Sequence, residues 1–116
     1  MENYNRHIAK VDTSVRQALI QLNELAEDAI LFIVDSNNQL VGSLTDGDLR
    51  RKIQSEGRDV LSQKMGDFTY NNAISIDANA LLNDAATVFK ATKVDTILVV
   101  DNGKPIGMID IQDLES

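Results

Sequence analysis

The run Gly42-Ser43-Leu44-Thr45-Asp46-Gly47-Asp48-Leu49-Arg50-Arg51 gathers the residue types of this 116-residue chain best suited to chemistry. Its pattern predicts a strand ending at Thr45, a turn, and a helix opened by Asp48. The Thr45 hydroxyl can donate to a phosphate or ribose oxygen, and the Asp48 carboxylate can accept from both hydroxyls of a vicinal diol. Free amides near a helix N-terminus favour an anion, and Arg50 or Arg51 adds charge if it turns inward. The same residues have a simpler use, in which Thr45, Asp46 or Asp48 caps the helix and touches no ligand. Both uses fit the sequence, and the residues taken by themselves favour the cap.

A second run, Gly107-Met108-Ile109-Asp110-Ile111-Gln112-Asp113-Leu114, keeps the spacing and changes one residue. Asp113 retains the diol acceptor. Asp110 stands where Thr45 stood, and it repels a phosphate unless it is protonated or bridged by a cation. The two sites are therefore expected to be unequal. Asp46-Gly47-Asp48 lacks the ligand spacing of a calcium loop, which leaves turn and cap roles for it. No pair of acids is singled out for hydrolysis in a cleft. His7, beside a polar terminus, is expected to be exposed or locally hydrogen-bonded. Tyr4, Phe68 and Tyr70 are too scattered to form a stacking platform for bases.

Composition narrows the chemistry further. Cysteine is absent and histidine occurs once, so disulfides, thiolate zinc sites, cysteine nucleophiles and sites with several imidazoles are excluded. Eighteen acidic residues against eleven basic ones give a net charge of -7, a field that repels nucleic acid and anionic membranes. Residues 1–58 hold nine acids and seven bases, whereas 59–116 hold nine and four, so an anion belongs with the first half. The longest apolar stretch, Ala29 to Val34, is six residues, far short of the roughly 20 that span a bilayer. The opening MENYNRH lacks the pattern of a secretory signal. A cytoplasmic protein is the expectation.

The elements that must position these residues occur twice. LFIVDSNNQLVGSLTDGDL (31–49) aligns with ILVVDNGKPIGMIDIQDL (97–114), pairing Asp35 with Asp101, Gly42 with Gly107 and Asp48 with Asp113. Ahead of each lies a helical stripe: Val15, Ala18, Leu19, Leu22 and Leu25 in the first copy, and Leu81, Leu82, Ala85, Val88 and Phe89 in the second. Thr13 or Ser14 and Asn79 are the expected caps. Residues 30–34 and 96–100 read as strands that end at Asp turn-formers. Hairpin turns follow at 36–38 and 102–103, and Leu40–Leu44 and Pro105–Ile109 return. Gly42 and Gly107 suggest a bulge or a close backbone approach. The reading predicts an α+β fold: repeat 1 over 8–55, a connector over 56–72 pinned by Val60, Leu61, Met65 and Phe68, and repeat 2 over 73–116. The closing helix of the second copy is missing or supplied by the N-terminal segment.

This arrangement resembles a tandem pair of CBS domains, a Bateman module, over roughly residues 8–114. The family's repeat closes as strand, Gly, apolar residues, Thr or Ser, two variable residues, and Asp before a helix. Gly42 to Leu49 matches in full, and Gly107 to Leu114 matches except at Asp110. LVGSLTDGDLRR is similar to the CBS repeats attached to sugar-phosphate nucleotidyltransferases and to those of arabinose-5-phosphate isomerases. The resemblance implies two helix-strand-strand-helix units packed as a pseudo-twofold pair, with no catalytic activity of their own.

It further implies ligand sensing in the cleft between repeats, with AMP, ADP, ATP or a nucleotide-sugar as ligand and no required cofactor. Asp48 would take the ribose and Thr45 the phosphate or ribose. Ile30 and the segment from Lys10 to Thr13 would serve the base. Asp46, Arg50, Arg51 and Asp113 complete the candidate set. Homodimerisation through the CBS helices is implied, together with a sugar-phosphate nucleotidyltransferase or isomerase as partner or fused domain. The competing expectation is a ligand-free module that only dimerises or docks.

Overall fold

The computed structural model describes residues 4–25, 30–67, 75–79, 82–92 and 96–111. They fall into two compact units, one within Asn5–Ala73 and the other within Ile74–Ser116, with which Tyr4 is grouped. Each unit contains a three-stranded sheet whose middle strand pairs parallel on one side and antiparallel on the other.

A 3-10 turn over Tyr4–His7 leads into the first unit, to β1 (Ile8–Lys10) and α1 (Val15–Asn23). β2 (Ile30–Val34), β3 (Leu40–Thr45) and α2 (Asp46–Glu56) follow. Ser14 is the N-cap of α1. It accepts from the Gln17 N–H at 3.1 Å, and the Gln17 side chain accepts from the Ser14 N–H, a reciprocal box that satisfies two donors at the helix start. The α1 stripe points Val15, Ala18 and Leu22 into a core with Ala9, Leu31, Ile33, Leu44, Leu49 and Met65. Phe32 and Val34, on the other face of β2, are also fully buried. β2 is thus covered on both sides, which explains an uninterrupted apolar run in place of alternation. Full burial of side chains of this size contributes about 1.5–3 kcal/mol each.

The hairpins follow the sequence closely. Asp35 Oδ1 accepts from the N–H groups of Asn37 and Gln39, both at 2.9 Å, and Asn38 adopts φ 64°. The β2–β3 register runs Ile33 opposite Gly42 and then Val34 opposite Leu40, so Val41 is bulged out beside the glycine. In the second unit, β5 (Thr96–Asp101) and β6 (Lys104–Asp110) meet at a two-residue turn. Asn102 (φ 53°) and Gly103 (φ 82°) are both left-handed there, as a tight hairpin turn requires. Ile106 is bulged beside Gly107 in the same way. α3 (Leu82–Thr92) sends Ala85 and Phe89 against Ile97. The N–H of Asn79, the expected cap, donates to Asp77 Oδ1 at 3.0 Å, and residue 80, between it and the helix, lies outside the described residues. Leu81 and residues 112–116, with any closing helix, lie outside the described residues.

Two features go beyond the expected helix-strand-strand-helix units. Each repeat begins with a three-residue strand, β1 or β4 (Ser75–Asp77), parallel to the middle strand. The connector is also more ordered than its composition suggests, with 3-10 turns over Arg58–Ser62 and Met65–Asp67 that bury Val60 and Met65. Phe68 lies outside the described residues. Residues 63–66 run along the entry to α1: Val15 N–H donates to Gln63, Met65 N–H to Thr13 and Gly66 N–H to Val11, at 2.9, 2.8 and 2.7 Å. A Cβ on Gly66 would sit 2.9 Å from both the Val11 carbonyl oxygen and its Cβ, so the approach depends on glycine here.

Candidate functional site

α2 begins at Asp46, directly after Thr45, with no intervening turn. Asp48 is therefore the third helical residue and not the opener that the sequence suggested. That position lets it close a capping box. The Asp48 N–H donates to Thr45 Oγ1 at 3.1 Å, and the Thr45 N–H donates to Asp48 Oδ2 at 3.1 Å. Two of the helix's unsatisfied donors are met within one turn, and a carboxylate sits at the positive end of the helix dipole.

The arginines complete the cluster. Arg51 donates to Asp48 Oδ1 at 2.6 Å, and Arg50 Nε donates to Asp46 Oδ2 at 2.8 Å. A second Arg50 nitrogen reaches Asn23 Oδ1 at 3.3 Å, tying α2 to the end of α1. Gly47 leaves room for this, because a Cβ there would lie 3.2 Å from the Arg51 guanidinium. Partial burial pushes the Asp48 carboxyl up. The backbone N–H and side chain of Thr45 and the Arg51 guanidinium outweigh it and hold the pKa below the ordinary carboxylate value. The Asp46 carboxylate raises the Arg50 guanidinium above its usual value by hydrogen bond and charge.

The structure brings together Thr45, Asp46, Asp48, Arg50 and Arg51. Ile30 is directly opposite Thr45 in the antiparallel register and joins them at one end of the sheet. Lys10 and Thr13 do not. Lys10 is opposite Val34, at the far end of β2, about 13 Å away at the rise of a strand. Thr13 lies beyond it, its carbonyl held by Met65. Within this repeat, the expected base-side segment and the expected ribose-side pair therefore occupy opposite ends of one sheet. In the second repeat, Asp110 ends β6 opposite Thr96, the counterpart of Thr45 opposite Ile30. Asp113 lies outside the described residues.

One contact near that end of β2 carried no sequence signal. His7 Nδ1 lies 3.0 Å from the Ile30 carbonyl oxygen. A lone histidine before a three-residue strand has no motif around it, and the contact exists only because β1 pairs with β2. Among the described residues, no group of three or more His, Cys, Asp or Glu side chains could hold a metal ion. Among them, no helix is long and apolar enough to cross a membrane.

The family model described as "CBS domain" matches residues 5–55 and again 65–115. The chain is 28% identical to arabinose 5-phosphate isomerase KdsD of Yersinia pestis over 103 residues, covering 89% of this chain and 31% of that protein. It is 31% identical to arabinose 5-phosphate isomerase GutQ of Salmonella typhi over 102 residues, covering 87% and 31%. The chain thus spans about a third of the length of these curated relatives. Among solved structures, it is similar to Hypoxic Response Protein I, whose structure has two coordinated zinc ions, with a TM-score of 0.76, 22% identity, and 93% and 87% of the two chains covered. It is also similar to the CBS domains of a transcriptional regulator from Streptococcus pneumoniae, with a TM-score of 0.76, 12% identity and coverage of 99% and 92%. At such identities, those two likenesses establish the fold alone.

Proposed function

The chain belongs to the CBS-domain family as a tandem pair, and from that premise we propose that it is a non-catalytic sensing module for an adenosine-type nucleotide or nucleotide-sugar. The ligand is received at the β3–α2 junction of the first repeat. Thr45 meets phosphate or ribose, Asp48 accepts from the ribose diol, and Arg50 and Arg51 lend charge. The observation that carries this reading is the convergence within the first two turns of α2 and its cap of a hydroxyl, two carboxylates and two guanidinium groups, most of them solvent-accessible. Such a set can exchange its internal contacts for those of a polar, phosphorylated ligand. Binding would act on a partner by shifting the population between two arrangements of the module. Its similarity to stretches of arabinose 5-phosphate isomerases makes a sugar-phosphate enzyme the proposed partner or fused domain, with a homodimer as the proposed assembly.

A second reading draws on the same cluster. Asp46 and Asp48 already have partners without any ligand, which suits a module that only dimerises or docks. Thermal unfolding with AMP, ADP, ATP and nucleotide-sugars separates the two. A sensing module gains stability by linkage, about 2.7 kcal/mol at a hundredfold excess over Kd. An unchanged melting temperature across the panel at millimolar concentration removes the sensing reading and leaves the docking one.

A further inference from the structure

The chain contains a single Asn-Gly dipeptide, Asn102-Gly103, and the fold sets it at the tip of the second hairpin. The β5–β6 ladder closes at Asp101 opposite Lys104, so both residues of the dipeptide lie beyond it. Asn102 is exposed. Among the described residues, the Gly103 N–H has no hydrogen-bond partner, and glycine has no Cβ to shield its nitrogen. A side-chain amide carbon followed by an unbonded main-chain nitrogen is the pair of reactants that succinimide formation needs.

Other asparagines in the first unit are placed differently. The N–H after Asn37, that of Asn38, donates to the Asp35 carbonyl at 3.0 Å. The N–H after Asn38, that of Gln39, donates to Asp35 Oδ1 at 2.9 Å. The N–H after Asn23, that of Glu24, is shared between the Ile20 and Gln21 carbonyls, both at 3.2 Å. In all three the nitrogen is occupied and its residue carries a side chain.

We propose that Asn102 is a site of spontaneous deamidation, and that its isoaspartyl product opens the β5–β6 hairpin. The Gly103 nitrogen attacks Asn102 Cγ and a ring N–C bond forms. The bond from Cγ to the amide nitrogen breaks, and ammonia leaves with the proton of the Gly103 N–H. Water then opens the ring. Cleavage at the side-chain carbonyl gives aspartate; cleavage at the main-chain carbonyl gives isoaspartate, whose main chain is longer by a methylene. The two products have different consequences. Asp-Gly suits the same two-residue turn, so aspartate only adds a negative charge beside Asp101. Isoaspartate lengthens a turn in which Asn102 (φ 53°) and Gly103 (φ 82°) are both left-handed. The pairs nearest the turn, Asp101 with Lys104 and Val100 with Pro105, are then the first to separate.

The test holds the full chain at mildly alkaline pH, which favours loss of the amide proton, and follows each asparagine by peptide mass over time. Asn102 is expected to convert at least about two- to tenfold faster than Asn23, Asn37 and Asn38, the rate equivalent of a hydrogen bond that need not be broken. Conversion no faster than theirs overturns the site and means that the turn holds the carboxamide away from the Gly103 nitrogen. The isoaspartyl fraction is identified by a protein-isoaspartyl methyltransferase and separated from the aspartyl one. It is expected to lose amide protection in β5–β6 and keep it in β2–β3, while Asn102→Asp matches the wild type in both. Full protection of β5–β6 in the isoaspartyl chain overturns the opening of the hairpin. Equal loss in Asn102→Asp overturns it too, because charge and not the longer main chain would then be the cause.

Discussion

At the open end of the first hairpin Ile30 stands opposite Thr45, and at the same place in the second Thr96 stands opposite Asp110. The scaffolds around these pairs agree in detail. Each middle strand takes a three-residue parallel neighbour, and each returning strand bulges one residue before a buried glycine. Both bulges expose an apolar side chain to the same extent, Val41 and Ile106 at 46%. Even the hand-off after the short strand matches: Val11 N–H donates to Val34 and Ala78 N–H to Val100. The backbone device is duplicated while the group it delivers is not. A hydroxyl at the end of β3 caps a helix and can meet an anion. A carboxylate at the end of β6 opposes an anion. The difference teaches that fold and site are separable here, and substitutions can test each alone.

The largest effect belongs to the scaffold. Leu49, one position past the capping box, is fully buried in the first core between α2 and the sheet. Leu49→Ala is expected to cost about 2–5 kcal/mol in urea unfolding, with amide exchange rising first in β1–β3. The comparison predicts that the β5–β6 amides of the other compact unit keep their protection longer. Equal loss in both hairpins would show that the two units open as one.

Much of that scaffold was legible in the sequence because its determinants are local. The apolar runs at 30–34 and 96–100, the Asp and Asn-Gly turns, the glycines beside the bulges and the α1 stripe each act within a few residues. The α2 capping box was legible too, as the alternative to ligand binding, since Thr45 and Asp48 have the spacing for it. β1 and β4 were not, because Ile-Ala-Lys and Ser-Ile-Asp are too short for periodicity and form only by pairing with distant strands. The same long-range pairing places Lys10 and Thr13 away from Thr45 and brings the His7 ring to the Ile30 carbonyl. Neither could be read from neighbours in the chain.

A smaller effect separates cap from ligand. Thr45→Asp gives the first repeat the residue of the second. Aspartate is as good an N-cap as threonine, so stability is expected to stay within about 0.5 kcal/mol, whereas Thr45→Ala loses about 1 kcal/mol. The stabilisation by AMP, however, is expected to disappear in Thr45→Asp. A Thr45→Asp variant that still responds to nucleotide would break the contrast between the two hairpins. The reciprocal Asp110→Thr sharpens it by giving the second repeat the Thr and Asp spacing of the first.

The smallest effect is electrostatic and confined to the first repeat. The net pKa of Asp48 is below the ordinary carboxylate value, because Thr45 and Arg51 outweigh the opposing push of partial burial. A carboxyl lowered on folding adds stability that is complete above its unfolded pKa and is lost as pH falls through the lower folded value. Asp48→Asn keeps an oxygen for the Thr45 N–H but removes the charge facing Arg51. The wild type should therefore be slightly more stable than Asp48→Asn at neutral pH, with the gap closing in acid below the carboxylate range. The Asp48 side chain is 47% exposed and that of Arg51 71%, so the ion pair is well solvated and its share is small. Molar salt should shrink the gap further. A gap that persists unchanged at the acid end would mean that shape at this position matters and charge does not. Asp48 would then be a cap and nothing more, and the first hairpin would lose the electrostatic half of its distinction from the second.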